Sequence, residues 1–353
     1  MFDRLKTWGL VASMLVMGTP AMAQEITWQI PTSVPEGSPF YVNFLERFAD
    51  NVKSLTGGRV EIEPFGAGVL VPALKVYDGV KEGVIKAGHS TPSYLVNQDP
   101  INAIFAGFPG GMGPEPFITW IYEDGGKQAL YDLRAKEGLK SLVVGIGSSE
   151  IMAHSNVPIH KAEDLKGMKY RTSGPWAEVM REYFDAVPIV IPPGEIYTLL
   201  QRKGVDLVEW GPPSANLPEG FHDAAKYIIV PGVHQPTFLW EVVLKQETWD
   251  AVSDDLKPLI EQAADLTTMQ GLLHFYSQDI KAMDTYRKGK NEIITLDPTF
   301  VTQLSDAGRD WITKKADAQK AEGKPEMAEL LTKYMTFEKD WAAESKYLIR
   351  NQD

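Results

Sequence analysis

The stretch MKYRTSGPWAEVMREYF, Met168 to Phe184, decides how the rest of the chain is read. Its first five residues read as a short strand fed by a polar turn. Pro175 then opens a helical run, at the position where proline's missing N–H costs nothing. Downstream come the strand-like VPIVIP (Val187–Pro192), the helical GEIYTLLQRKG (Gly194–Gly204) and the strand-like VDLVEW (Val205–Trp210). Upstream lie two strand-like runs placed back to back, LKSLVVGIG (Leu139–Gly147) and SSEIMAHS (Ser148–Ser155). Ser149 to Trp210 therefore reads as a compact α/β unit inserted in a larger one.

The larger unit shows the same alternation. ITWQIP (Ile26–Pro31), RVEIEPF (Arg59–Phe65) and VIKAGHSTP (Val84–Pro92) read as strands. FYVNFLERFADNVKSLTGG (Phe40–Gly58) and ALKVYDGVKEG (Ala73–Gly83) read as helices closing on glycine. Strands alternating with helices predict α/β domains with largely parallel sheets. From Asp254 to about Lys290 the pattern is helical, with Pro258 near its start and one internal glycine, Gly271. A helix that long is expected to lie across both domains as a spine. The tail reads as two or three amphipathic helices broken at Gly323-Lys324-Pro325.

The chain has 353 residues, enough for two ordinary domains, and its 44% hydrophobic and 23% charged content suits a soluble globular protein. A net charge of −12 argues against a nucleic-acid partner, which needs a basic face. The absence of cysteine removes disulfides, thiolate catalysis, cysteine-bound zinc and a lipidated cysteine. Residues 1–23 have the layout of a secretory signal. Arg4 and Lys6 precede the apolar run Trp8–Gly18, and Ala21-Met22-Ala23 offers a small-residue cleavage site. Cleavage near Ala23 and a periplasmic location are expected.

No common enzyme signature is present: no nucleophile elbow, zinc helix, phosphate loop or dinucleotide fingerprint. The six histidines, at 89, 154, 160, 222, 234 and 274, are scattered and read as structural or surface residues. What stands out is a set of polar groups at strand ends, where α/β domains gather ligands. Glu150 follows VGIGSS, Arg171 ends MKY, and Glu209-Trp210 end VDLV, held by the stiff turn Gly211-Pro212-Pro213. An arginine there is the usual fork for a carboxylate or similar oxyanion, although an ion pair fits the same pattern. Glu209 reads equally as a strand-end cap, and Trp210 alone as core packing.

HKAEDLKGMKYRTSGPWAEVMREYF, VPIVIPPGEIYTLLQRKGVDLVEWGPP and GFHDAAKYIIVPGVHQP together resemble the solute-binding proteins of TRAP transporters. The branch they resemble most binds 2-oxo and 2-hydroxy carboxylates beside a metal ion. WQIPTSVPEGSPF, FGAGVLVPALKVYDGVKEG, AGHSTPSYLVNQDP and FPGGMGPE extend the likeness over nearly all of the chain after residue 24. The resemblance implies a two-domain periplasmic binding protein of α/β class, with a hinge and a spine helix spanning both domains. Domain one is expected at 25–149 plus about 237–283, and domain two at 150–236 plus about 284–353. It implies that Arg171 clamps the solute carboxylate, that Glu209 and the carbonyl of Trp210 bind the metal, and that Tyr94 faces the ligand. An oxygen-only site of this kind suits Ca²⁺ or Na⁺.

Three departures from the branch concern the site. Glu150 stands where the branch carries Gln, EWGPPSAN replaces a segment with a Tyr-Asn pair, and Gln235 in VHQP replaces a Glu. Glu150 either adds charge to a Ca²⁺ site or meets an ammonium on the solute. The expected function is capture of a small organic acid by a TRAP-type importer's receptor, with the importer's membrane subunits and a second copy of the chain as partners. The alternatives are a zwitterionic amino acid-like or sulfonate solute bound without metal, and a hydrolase using Glu150 and Glu209 as a carboxylate pair. The hydrolase is disfavoured because Arg171 between them is expected to hold both ionised.

Overall fold

The computed structural model describes residues 26–348, so the expected signal segment lies outside the described residues. Among the described residues three sheets form two layers, the two smaller sheets, taken together here as the first, lying in one layer and the six-stranded sheet in the other. In the first, Ile26–Pro31 pairs in parallel with Val60–Phe65, and a bridge between Thr32 and His89 joins that pair to Ala87–Ser90. The return strand Phe238–Lys245 lies between Ala87–Ser90 and Leu139–Gly147, antiparallel to both. The second sheet runs Glu292–Thr295, Tyr227–Val230, Ala153–Ser155, Leu207–Val208, Lys169–Arg171, Val187–Ile189. Ala153–Ser155 is antiparallel to its two neighbours, and the other pairings are parallel.

The sheets are therefore mixed where alternation predicted largely parallel ones. The reason is topological. Ala87–Ser90 and Leu139–Gly147 run toward the junction between the sheets, whereas Phe238–Lys245 starts at that junction and can only run away from it. Its sequence, FLWEVVLK, has seven residues buried and gives no alternation to read. Two further expectations change locally. Of Ser148–Ser155 only Ala153–Ser155 is strand, which leaves Glu150 in irregular chain. Residues Tyr41–Glu46 form a wide π-type turn before the regular helix Arg47–Leu55. Helices Pro114–Glu123 and Gly126–Lys136, which the sequence reading passed over, cover the first sheet's far side.

The spine is a helix of 32 residues, Lys257–Lys288, about 48 Å long at 1.5 Å per residue. Pro258 sits in its first turn, where it is tolerated. Its first half packs on Leu139–Gly147 and Arg47–Leu55. Its second half packs on the second lobe, where Ala282 and Tyr286 join Ile151 and Ile228, and the Tyr286 hydroxyl donates to the Pro213 carbonyl at 3.1 Å. Asp279 ties the lobes further. It accepts from Ser148, just past the first sheet, and from the Ser214 N–H at 2.9 Å in the second lobe.

The tail forms two helices, Pro298–Ala321 and Glu326–Glu344, separated by Gly323 at φ +82°. The first packs on Gly174–Phe184 of the second lobe and the second on Pro114–Glu123 of the first. The tail thus touches both lobes, and the Tyr334 hydroxyl accepts from the Met112 N–H at 2.6 Å.

Gly271 explains how a long helix can lie so close to the first lobe. A methyl group there would sit 2.8 Å from the Phe44 ring, which is itself fully buried among Phe40, Trp240 and Phe275. Alanine would gain about 1 kcal/mol of helix propensity, but the ring has nowhere to retreat, and overpacking costs about 1–3 kcal/mol. Gly271→Ala is expected to lower stability by up to about 2 kcal/mol on these magnitudes, measured by denaturant unfolding. An unchanged or raised midpoint would show that Phe44 can yield.

Candidate functional site

The chain crosses between the lobes at residues 148–152 and 231–237, and again through the spine. The first two crossings lie side by side. The Glu150 N–H donates to the Gln235 carbonyl at 3.3 Å, and a methyl on Gly232 would fall 1.8 Å from the Glu150 carbonyl oxygen. Beside them a small cavity of about 30 Å³ opens between the sheets. Arg171, Glu150, Glu209, Trp210, Tyr94 and Gln235, all singled out in the sequence, line it.

Each arrives by a different element. Arg171 is the last residue of its strand and Glu209 the first after the neighbouring strand, so parallel pairing sets them adjacent. The Arg171 Nη1 donates to the Glu209 carbonyl at 2.6 Å and lies 3.5 Å from its Oε1, while Nη2 donates to the Ile191 carbonyl at 3.3 Å. Its Nε–H has no protein partner. The guanidinium is thus locked at its edges by backbone, with donors to spare. The Ser173 N–H donates to Glu209 Oε1 at 3.1 Å, where Gly174 opens the helix. Tyr94 comes from the first lobe, in the short turn after Ala87–Ser90, and burial beside Glu209 and Glu150 takes its hydroxyl up to about 12 even though Arg171 opposes the shift. Gln235 is turned partly away, its amide donating to the Ala106 carbonyl at 3.0 Å.

The first lobe and the crossing supply residues that sequence reasoning passed over. Phe40, Phe238 and Trp240 form an aromatic wall, with Phe40 4.8 Å from the Trp210 ring and 5.3 Å from the Trp240 ring. Thr91, Ser93 and Ser173 add hydroxyls. Behind the cavity, His234 is fully buried and its Nε2 lies 3.2 Å from Glu150 Oε2. One donor atom each from Glu150, Glu209 and His234 falls within 4.8 Å of the others. The VHQP motif held the signal, but it was read for its glutamine.

The charges are unbalanced. Burial raises the Glu150 carboxyl to about 8, against the opposing pulls of a hydrogen bond to Glu209 and of Arg171. Burial also raises Glu209, with Arg171 opposing and Glu150 reinforcing. His234 falls to about 4 because burial disfavours the imidazolium. Arg171 therefore does not hold both carboxylates ionised, contrary to the sequence-based expectation. Desolvation outweighs it, and Glu150 keeps a proton near neutral pH. A neutral imidazole and two carboxyl groups within one cation's reach fit a metal ion, which would displace that proton.

The sign of the pH dependence follows. With no cation added, the folded state holds a proton on Glu150 that the unfolded chain has lost above its ordinary value of 4.5. Stability from this group is complete at low pH and is lost as pH rises through about 8. His234 has the opposite sign, but acts only below its ordinary 6.5. Between pH 6.5 and 8 the unfolding free energy is expected to fall by up to about 1.4 kcal/mol per unit, and Glu150→Gln is expected to flatten that slope. Urea unfolding in chelator at several pH values measures it; a slope that survives the substitution would move the proton elsewhere.

The sequence profile described as bacterial extracellular solute-binding protein, family 7, matches residues 30–318. A monocarboxylate 2-oxoacid-binding periplasmic protein of Nostoc sp. is 29% identical over 238 residues, 67% of this chain and 65% of that protein, so the match spans just under two thirds of the relative. Among solved structures, a TRAP periplasmic solute-binding protein of Pseudoalteromonas atlantica with bound sodium and pyruvate superposes with a TM-score of 0.85 at 25% identity, covering 92% of this chain and 97% of that one. One from Bordetella bronchiseptica, a mixed-occupancy dimer with copurified calcium and picolinate in its bound site, gives 0.83 at 23% identity over 91% and 94% of the two chains, a likeness of fold. The profile covers most of the chain, and these relatives bind solutes rather than transform them. This chain belongs to the family 7 bacterial extracellular solute-binding proteins, the TRAP-type periplasmic receptors, and is not an enzyme.

Proposed function

We propose that this chain captures a small 2-oxo or 2-hydroxy monocarboxylate together with a divalent cation, closes its two lobes over them, and delivers the solute to the membrane subunits of a TRAP importer. The supporting observation is the charge inventory of the cavity. Glu150, Glu209 and Arg171 are all buried there. With both carboxylates ionised they leave one excess negative charge, which is costly at low dielectric. A divalent cation and one carboxylate bring the sum to zero. Na⁺ does so only if Glu150 keeps its proton. The extra carboxylate at position 150 therefore favours Ca²⁺.

In this reading Glu209 and Glu150 hold the cation with His234 beside them, and the cation neutralises the carboxylates and takes the solute's oxygens. Arg171 meets the solute carboxylate with the donors that Glu209 and Ile191 leave unused. Phe40, Trp210, Phe238 and Trp240 exclude water and limit size. Glu150 and His234 stand on the two interlobe crossings, so neutralising them favours the closed form. Residues 1–23 would serve for export and be absent from the mature receptor.

The test is calorimetry on chelator-stripped protein with pyruvate and related acids. Binding is expected only after Ca²⁺ is restored. Survival of binding without metal, with an amino acid preferred over its deaminated analogue, would replace the cation by the solute's ammonium. A screen yielding only neutral sugars would overturn the acid class. A second variant isolates the clamp. Arg171→Lys is expected to weaken binding by at least about thirtyfold while the chain still folds, and near-normal affinity would remove Arg171 from the solute's carboxylate.

A further inference from the structure

A second cavity, of about 330 Å³, lies against the spine helix and shares no lining residue with the solute cavity. Val42 and Asn43 come to it from the first lobe, Ser214 and Leu217 from the second, and His274 and Lys281 from the spine. Two chain segments serve both cavities. Phe40 and Trp210 line the solute site, and Asn43 and Ser214, a turn further along each segment, line this one. The rings of Phe40 and Phe275 pack between them with centroids 5.8 Å apart. The polar groups here are short of anions. Lys281 Nζ donates to the neutral Gln278 Oε1 at 3.4 Å. Arg47 stands behind Asn43, donating from Nη2 to its Oδ1 at 3.0 Å, and its buried Nε–H has no protein partner. Among the described residues neither cation has a carboxylate within ion-pair distance. Burial lowers the pKa of His274, Arg47 and Lys281 push it the same way, and only Asp279 opposes them. Asp279 is already engaged, accepting from Ser148 and Ser214. In a chain with 47 acidic and 35 basic side chains, two cations beside one cavity without a counter-charge are an unbalanced arrangement.

We propose that this cavity is a second binding site, for a small organic monocarboxylate with an apolar body, and that its occupant steadies the two lobes against each other. Arg47 and Lys281 bring two positive charges to it and Asp279 one negative, so a single carboxylate completes the neutralisation. Lys281 and His274 have donors to offer that carboxylate, and Val42, Leu217 and Phe275 offer apolar surface to a short chain. The room, about 330 Å³ against about 30 Å³, suits a larger body than the solute cavity accepts. A molecule there touches both lobes and the spine at once, in the arrangement that sets Phe40 4.8 Å from Trp210. It therefore binds that arrangement better than one with the lobes parted, and shifts the receptor toward it. Solute capture needs the same arrangement, so occupancy is expected to tighten the solute by the factor with which the solute tightens the occupant. That last step alone rests on the capture reading above.

Calorimetry with hexanoate as the probe tests the site, with hexanol as the same body without the charge. Hexanoate is expected to bind at millimolar concentration or below, and hexanol is not. Lys281→Gln is expected to weaken hexanoate about tenfold, and His274→Gln added to it to weaken it further. Arg171→Lys is expected to bind hexanoate as the wild type does, because Arg171 lines the other cavity. No heat from hexanoate, equal binding of hexanol, or full affinity in the double variant would each overturn the site. Loss of hexanoate in Arg171→Lys would overturn it too, by placing the probe in the solute cavity. Small-angle scattering of the solute-free receptor tests the effect on the lobes without any solute: bound hexanoate is expected to reduce the radius of gyration, and an unchanged or larger radius would overturn the steadying. With Ca²⁺ present, saturating hexanoate is then expected to tighten pyruvate severalfold in the wild type and not in the double variant. Pyruvate unmoved or weakened would overturn the coupling. Pyruvate that never binds would overturn the capture reading and the coupling together, while the hexanoate titrations and the scattering still decide the site.

Discussion

The close approach of two crossing segments governs the rest of the site. Gly232 has no side chain, so the chain returning from the second lobe can lie directly against the Glu150 carbonyl. That contact brings His234 opposite Glu150 and threads Gln235 back to the Glu150 N–H. Neither lobe alone would assemble these groups. Asp279 then fixes the crossing to the spine through Ser148 and to the second lobe through Ser214. The junction on which closure turns is also the junction that carries charge.

Burying two carboxyl groups beside one guanidinium is a poor use of stability for an empty protein. A buried, well-paired contrast lies in the same chain. Glu241, in the middle of the apolar return strand, receives Arg134, Tyr77 and Ser141, and its charge is answered on every side. The cavity carboxylates have no such ring of donors. A proton on Glu150 is the cheapest temporary answer, which is why burial can raise it so far. Receptors are expected to carry such incomplete networks where the ligand supplies the missing partner.

The sequence made the strand ends legible because one short stretch of chain carries each of them. Arg171, Glu209 and Trp210 could be placed from KYR and VDLVEW and their neighbours, and the cavity gathers them with Tyr94, Glu150 and Gln235. His234 was not legible. Its meeting with Glu150 spans 84 residues and depends on the crossing geometry, which no local pattern encodes. The return strand Phe238–Lys245 escaped for a different reason: it is buried on both faces, so its alternation is erased. The spine was legible from length alone, but the cavity beside it was not, because both lobes contribute to its walls.

The aromatic wall gives the molecule an optical property of its own. Phe40 belongs to the first lobe and Trp210 to the second, and their rings are 4.8 Å apart, with Trp240 on the other side of Phe40. Any movement that parts the lobes draws the Trp210 indole out of this packing and into water. Its emission then shifts to the red and its quenching by dissolved iodide rises. Two of the nine tryptophans line the cavity, so the receptor carries an intrinsic fluorescent gauge of its own opening.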